Sequence, residues 1–153
     1  MKASLSWKQK MQFECQNNEH KTIIDAAPEH GGDSSAPSPK ELVLNAMMGC
    51  TAMDVVSILT KMRQEITSFD MEINAEKTKA HPVHFKTAEL IFNLKGKIEA
   101  DKAMRAVDSS LTKYCGVNYM ISKTCQITFK IILNEEIIKA GPVVFIEPQQ
   151  EES

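Results

Sequence analysis

Cysteine is the side chain in this sequence most able to do covalent chemistry, because its thiolate is both nucleophile and redox centre. The chain has four, at positions 15, 50, 115 and 125, with no CxxC pair and no regular close spacing. That pattern argues against a disulfide framework or a zinc knuckle and for free thiols in a reducing compartment. Cys15 and Cys125 sit in alternating apolar runs, where a buried thiol is a common small hydrophobe. Cys50, after Gly49, and Cys115, before Gly116, fall in helical patterns instead, and the neighbouring glycines allow close approach to sulfur. If those helices pack together, Cys50 and Cys115 are placed to act as an attacking and a resolving thiol; otherwise both are core filler.

Other polar groups are weaker candidates. Asp54 follows Cys50 by four positions, on the same helical face, and either orients a partner of the thiol or is a satisfied carboxylate. His81 and His84 in "HPVHF" have a spacing that is poor evidence for a metal, so neither metal nor cofactor is expected. Lys113 precedes Cys115 by two positions, which points it to another helical face.

The elements that must hold these residues follow from periodicity. Leu5, Trp7, Met11, Phe13 and Cys15 occupy odd positions in one strand-like run. "NNEH" supplies a turn, and "KTIIDAAP" reads as the second strand of a hairpin, with room for a third short strand. The Gly, Ser and Pro of 29–41 make a loop that ends on Ser38, Pro39 and Glu41, the signature of a helix N-terminus with a capping box. A helix from about 39 to 63 or 64 is apolar around its whole circumference, so it must be buried on all sides. In so small a domain that requires a wrapping sheet or a second subunit, and an obligate dimer is expected.

Two long strands follow at 66–78 and 83–96, the second ended by Gly96. A helix over 99–117, a short one over 117–124 and a strand over 125–134 complete the order. Residues 135–153, including "VVFIE", Pro142 and Pro148, form a tail or an edge segment. The expected class is α+β, with one domain over 1–134.

The whole chain has 153 residues, 42% hydrophobic and 25% charged, with a formal net charge of -2. Near-neutral charge and scattered lysines exclude nucleic acid as the main partner. The start of the chain lacks an apolar signal-like run, and Asn45, Gly49 and Asp54 interrupt the most hydrophobic stretch. A soluble, cytoplasmic protein without a membrane partner is therefore expected.

"GGDSSAPSPKELVLNAMMGCTAMDVVSIL", "HPVHF" and "AVDSSLTKYCGV", in that order, resemble the osmotically inducible protein C / organic hydroperoxide resistance (OsmC/Ohr) family, within it the branch of YhfA-like proteins. The resemblance spans roughly residues 1–134. It implies an intertwined homodimer with long central helices wrapped by antiparallel β-sheets, and thiol peroxidase chemistry on an organic hydroperoxide. By motif position, Cys50 would be the peroxidatic thiol and Cys115 the resolving one, with an external dithiol as reductant.

The same resemblance implies an Arg in the early glycine-containing segment and a Glu directly after the proline that opens the helix. Here the first 62 residues contain no Arg, and Lys40 follows Pro39, with Glu41 one place later. A one-residue shift turns a helical side chain by about 100°, which suits Glu41 to the cap. Lys40, His30, Lys113 and Arg105 are the candidate cations. The departures support an alternative, a non-peroxidase protein of the same fold that holds a small apolar ligand.

Overall fold

The computed structural model describes residues 1–147. Pro148 and the acidic end of the expected tail lie outside the described residues. The chain divides into two compact units, Met1–Asn45 and Ala46–Ser153, and the long helix runs through the boundary.

The first unit is a three-stranded antiparallel meander, β1 (Ser4–Gln9), β2 (Gln12–Asn17) and β3 (His20–Ile24). The odd-numbered apolar run is therefore two strands, not one. Its register explains why the alternation hides the turn. Gln9 pairs with Gln12 across a two-residue turn, but a bulge between Trp7 and Gln9 shifts the register by one. Leu5 therefore pairs with Cys15 and Trp7 with Phe13, and the odd residues stay on one face through the reversal. Lys10, at φ 45°, makes that turn, and its carbonyl accepts from Trp7 Nε1 at 2.9 Å.

After a 3-10 turn at Pro28–His30, α1 (Pro39–Lys61) starts on the expected capping box. Ser38 N donates to Glu41 Oε2 at 2.7 Å, and Glu41 N donates to Ser38 Oγ at 3.4 Å. The helix stops at Lys61, short of the expected 63 or 64. Arg63 takes the left-handed conformation at φ 56°, and Gln64 N and Arg63 N donate to the carbonyls of Leu59 and Thr60, a Schellman closure.

Burial of α1 within one chain is confined to one face. Within one chain only the stripe Met47, Thr51, Val55 and Leu59 is buried, while Met53 remains 76% exposed. By length and composition alone α1 could cross a membrane. A stripe packed on protein and a hydrogen-bonded Asp54 are instead the marks of a core helix.

The second unit holds a four-stranded sheet in sequence order: β4 (Glu65–Lys77), β5 (Phe85–Lys97), β6 (Gln126–Leu133) and β7 (Glu136–Pro142). The sheet is antiparallel except between β5 and β6. There α2 (Ala100–Ser109) and α3 (Gly116–Ser122) carry the chain back to the end where β5 began, so β6 runs parallel to β5. Gly96 stands at the end of β5, one residue before its last, Lys97. A Cβ there would strike the Glu65 carbonyl, and its φ of 142° suits glycine.

Strict alternation on the two central strands makes the core. Ala88, Leu90, Phe92 and Leu94 of β5 share a buried face with Ile127, Phe129, Ile131 and Leu133 of β6. Ala103, Ala106 and Val107 supply the buried side of α2. β7 falls at 136–142, ahead of the "VVFIE" run, because Asn134 and Glu135 at φ 49° and 74° turn the chain at once after β6. The run itself is not a strand: Ile146 N donates to Thr112 O at 3.1 Å.

Candidate active site

Cys115 does not lie in a helix interior. One π-type turn, Ser110–Tyr114, follows α2, and its closing bond runs from Cys115 N to Ser110 O at 2.8 Å. The backbone then extends at Cys115 (φ -74°, ψ 93°), which becomes the N-cap of α3. A thiol in that position can accept from the first helical amides, and Asn118 N donates to Cys115 Sγ at 3.4 Å.

α1 supplies the other side of the site. Thr51 Oγ1 lies 3.5 Å from Cys115 Sγ, and Asn118 Nδ2 donates to Thr51 Oγ1 at 2.7 Å. The half-buried Cys50 lies close enough to Cys115 to help raise its pKa, and both are free thiols. The fold thus brings together the two cysteines singled out in the sequence, 65 residues apart.

Burial decides how Cys115 ionises. Cys115 is 3% exposed, and its pKa is pushed up to about 11, first by burial. The Thr51 hydroxyl and the Asn118 amide act against that shift, whereas the neighbouring Cys50 adds to it. Cys115 is therefore a protonated thiol at neutral pH. Cys125 is also buried and raised by desolvation, while Cys15 is half-buried in β2.

The remaining candidates separate clearly. Asp54 Oδ2 accepts from Ser110 Oγ at 2.9 Å, so it is a satisfied carboxylate that ties α1 to the π-type turn. Glu41 serves the helix cap. Lys40, His30 and Arg105 are exposed, and Lys113 sits over the Tyr114 ring at 5.4 Å. The groups that tune Cys115 are uncharged hydrogen-bonding groups and a second thiol. His81 and His84 are exposed, and no group of three or more His, Cys, Asp or Glu that could hold a metal occurs among the described residues.

Three site residues were not singled out from sequence: Thr51, Ser110 and Asn118. Only Asn118 left a signal, as a polar residue three places after a cysteine that precedes glycine, the spacing of a capped helix start. Next to Cys115 lies a cavity of about 560 Å³. Leu111, Tyr114, Tyr119, Phe145 and Ile146 give it a mainly apolar wall, with Lys113 and Glu147 also in its lining.

The profile of the OsmC-like protein family matches residues 31–130, a span that holds both cysteines. The chain belongs to that family. Among OsmC-like relatives, it is 38% identical to Protein YhfA of Escherichia coli K12 over 130 residues, which covers 84% of this chain and 94% of that protein. The OsmC-like fold is equally clear among solved structures. An OsmC like protein from Mycoplasma pneumoniae superposes with TM-score 0.75 at 10% identity, over 86% of this chain and 95% of that one. An organic hydroperoxide resistance protein OsmC from Legionella pneumophila gives 0.65 at 15% identity, over 84% and 93%. At those identities the two structures establish the shared fold.

Proposed function

We propose that this OsmC-like protein is a cytoplasmic, homodimeric, thiol-dependent reductase of organic hydroperoxides. The observation that carries the reading is the pair of free thiols, Cys50 and Cys115, brought beside each other from separate elements. Membership of a family with a hydroperoxide resistance protein supports it.

The two thiols divide the work. By its motif position Cys50 is the attacking group, and the buried, protonated Cys115 is the resolving one. The Cys50 thiolate takes the terminal oxygen of ROOH, the O–O bond breaks, and the alkoxide leaves as ROH after protonation. Cys50 is then a sulfenic acid, and Cys115 condenses with it to a disulfide with loss of water. An external dithiol restores both thiols. Cys115, already a neighbour of Cys50, serves as the resolving group. Asp54 and Glu41 act here as structural groups, and Lys40 has no assigned part.

The dimer follows from the unburied side of α1. Met53 and Val56 are 76% and 41% exposed on a helix too apolar to face water along its length. A second copy covers them in this reading, and sedimentation at micromolar concentration tests it.

Activity is tested with purified protein, an organic hydroperoxide and a dithiol. Wild type is expected to consume peroxide at least a hundred-fold faster than Cys50→Ser, on the order of the loss when a nucleophile is removed. Equal rates would end the enzyme reading. Thiol titration adds a check: peroxide should remove two thiols per chain from wild type, but leave no internal disulfide in Cys115→Ser.

The cavity beside Cys115 favours a second reading, a binding protein for a small apolar ligand. A defined small molecule that co-purifies, is seen by native mass spectrometry and is lost on Tyr119→Ala, without peroxide turnover, would select it.

A further inference from the structure

One buried hydroxyl at the thiol pair has more acceptors than protons. Thr51 Oγ1 lies 3.0 Å from Met47 O, one turn back on α1, and 3.5 Å from Cys115 Sγ. A hydroxyl carries one proton and donates to one of them at a time. Bonding to the carbonyl four residues back is ordinary for Thr in a helix, and alone it would make Thr51 structural.

Asn118 changes that. Its Nδ2 donates to Thr51 Oγ1 at 2.7 Å, which occupies a lone pair and leaves the proton to choose between carbonyl and sulfur. The same nitrogen lies 3.4 Å from Met47 O, so the carbonyl keeps a donor when the hydroxyl turns away. The backbone N–H of Asn118 meets Cys115 Sγ from another direction at 3.4 Å. Thr51, Asn118 and Cys115 are all buried, so water does not compete for these bonds.

The geometry points to Thr51 as a two-position donor that turns from Met47 O to Cys115 Sγ as that sulfur becomes anionic, with Asn118 holding it poised. A neutral thiol is a weak acceptor and the carbonyl wins. A thiolate forms a charge-assisted bond, and the sulfur wins. Thr51 and Asn118 are positioning residues that act through Cys115.

The inference rests on the reading of Cys115 as the resolving thiol. In that step a sulfur electron pair of Cys115 attacks the sulfur of Cys50–SOH. The new S–S bond forms as the S–O bond breaks, and hydroxide leaves with the Cys115 proton as water. The Cys115 sulfur is oxidised, the Cys50 sulfur is reduced, and no further reactant is consumed. Turning Thr51 onto Sγ stabilises the charge that builds before the attack, which is where a preorganised donor accelerates a reaction.

The test separates this from packing. After one equivalent of organic hydroperoxide, decay of Cys50–SOH is followed by timed dimedone trapping across pH. Thr51→Val, which keeps shape and removes the hydroxyl, is expected to slow condensation about tenfold at neutral pH and move the pH–rate profile upward by about one unit. Thr51→Ser is expected to restore both, and oxidation of Cys50 is expected to be unchanged in either. Separately, the 13Cβ resonance of Cys115 is titrated in a Cys50→Ser background, where the Cys115 pKa should rise with Thr51→Val and not with Thr51→Ser. A Thr51→Val protein with the wild-type profile and titration would overturn the inference. So would a Thr51→Ser protein as impaired as Thr51→Val, because the effect would then be one of packing. If wild type forms no sulfenic acid at all, the hydroperoxide reading falls, while the carbon titration still decides the role of Thr51.

Discussion

Asp25 and Cys115 are both 3% exposed, yet the protein shifts them in opposite directions. Asp25 Oδ1 accepts from Ala26 N, and Oδ2 accepts from Ser35 Oγ, Ser35 N and Asp33 N at 2.7, 3.0 and 3.2 Å. The Ser35 hydroxyl leads in holding the carboxyl down at about 2, followed by the Ser35 amide. Cys115 has two long, weak donors, and burial lifts its thiol to about 11. The difference is donor supply. A loop that surrounds its anion with short donors makes an inert anchor. A turn that leaves its sulfur short of donors keeps a proton available for chemistry.

The largest test strikes the anchor. A Cβ on Gly32 would come within 2.7 Å of Asp25 Oδ1 and run into the Ala26 carbonyl, both fixed parts of the loop. Gly32→Ala is expected to destabilise the protein by about 3 kcal/mol, the upper end for overpacking, measured by urea denaturation. Asp25→Asn comes next. With the folded pKa near 2 and the unfolded one near 3.9, the unfolded state binds the proton first. Stability from Asp25 is thus complete above about pH 4 and is lost as pH falls toward 2. The asparagine variant should be less stable at neutral pH and should lack that acid limb, and an unchanged acid limb would break the comparison on this side.

Cys115 should show the mirror image. Its folded pKa of about 11 exceeds the ordinary thiol value, so its contribution is complete below about 9 and is lost as pH rises to 11. The shift corresponds to about 3 kcal/mol across that window. Cys115→Ser is expected to flatten the alkaline limb of the stability profile by that amount and leave the acid limb unchanged. If the alkaline limb persists in the serine variant, the sulfur is better supplied with donors than its geometry indicates.

The anchor and the turn were unequally legible in sequence. Ser38 and Glu41 announced the start of α1, since a capping box is a local rule with a fixed spacing. β4, β5 and β6 were legible because alternation reports a half-buried sheet, and both Cys50 and Cys115 were singled out. The hairpin at Lys10 was hidden because the bulge beside its two-residue turn restores the parity of the pattern. The π-type turn was hidden for another reason: Leu111 and Tyr114 keep helical spacing while the backbone inserts an extra residue. The Thr51 donor to Cys115 comes from α1, 64 residues away, and no periodicity reports a contact across such a gap.

The smallest effect concerns how the turn is fastened. Ser110 is fully buried, and its hydroxyl lies 2.9 Å from Asp54 Oδ2 and 3.4 Å from Thr51 O. Asp54 is only half-buried, so water replaces the lost donor in part when Ser110 becomes Ala. Ser110→Ala should therefore destabilise by about 1 kcal/mol, below the range for a fully buried charged bond. A double-mutant cycle with Asp54→Ala then isolates the pair, and a coupling of about 1 kcal/mol is expected. Peroxide consumption separates fastening from chemistry. If Asp54 only ties α1 to the turn, Ser110→Ala and Asp54→Ala should slow turnover equally. A far larger loss with Asp54→Ala would make the carboxylate itself part of the reaction, and the site would then hold a charged group that the Cys115 comparison leaves out.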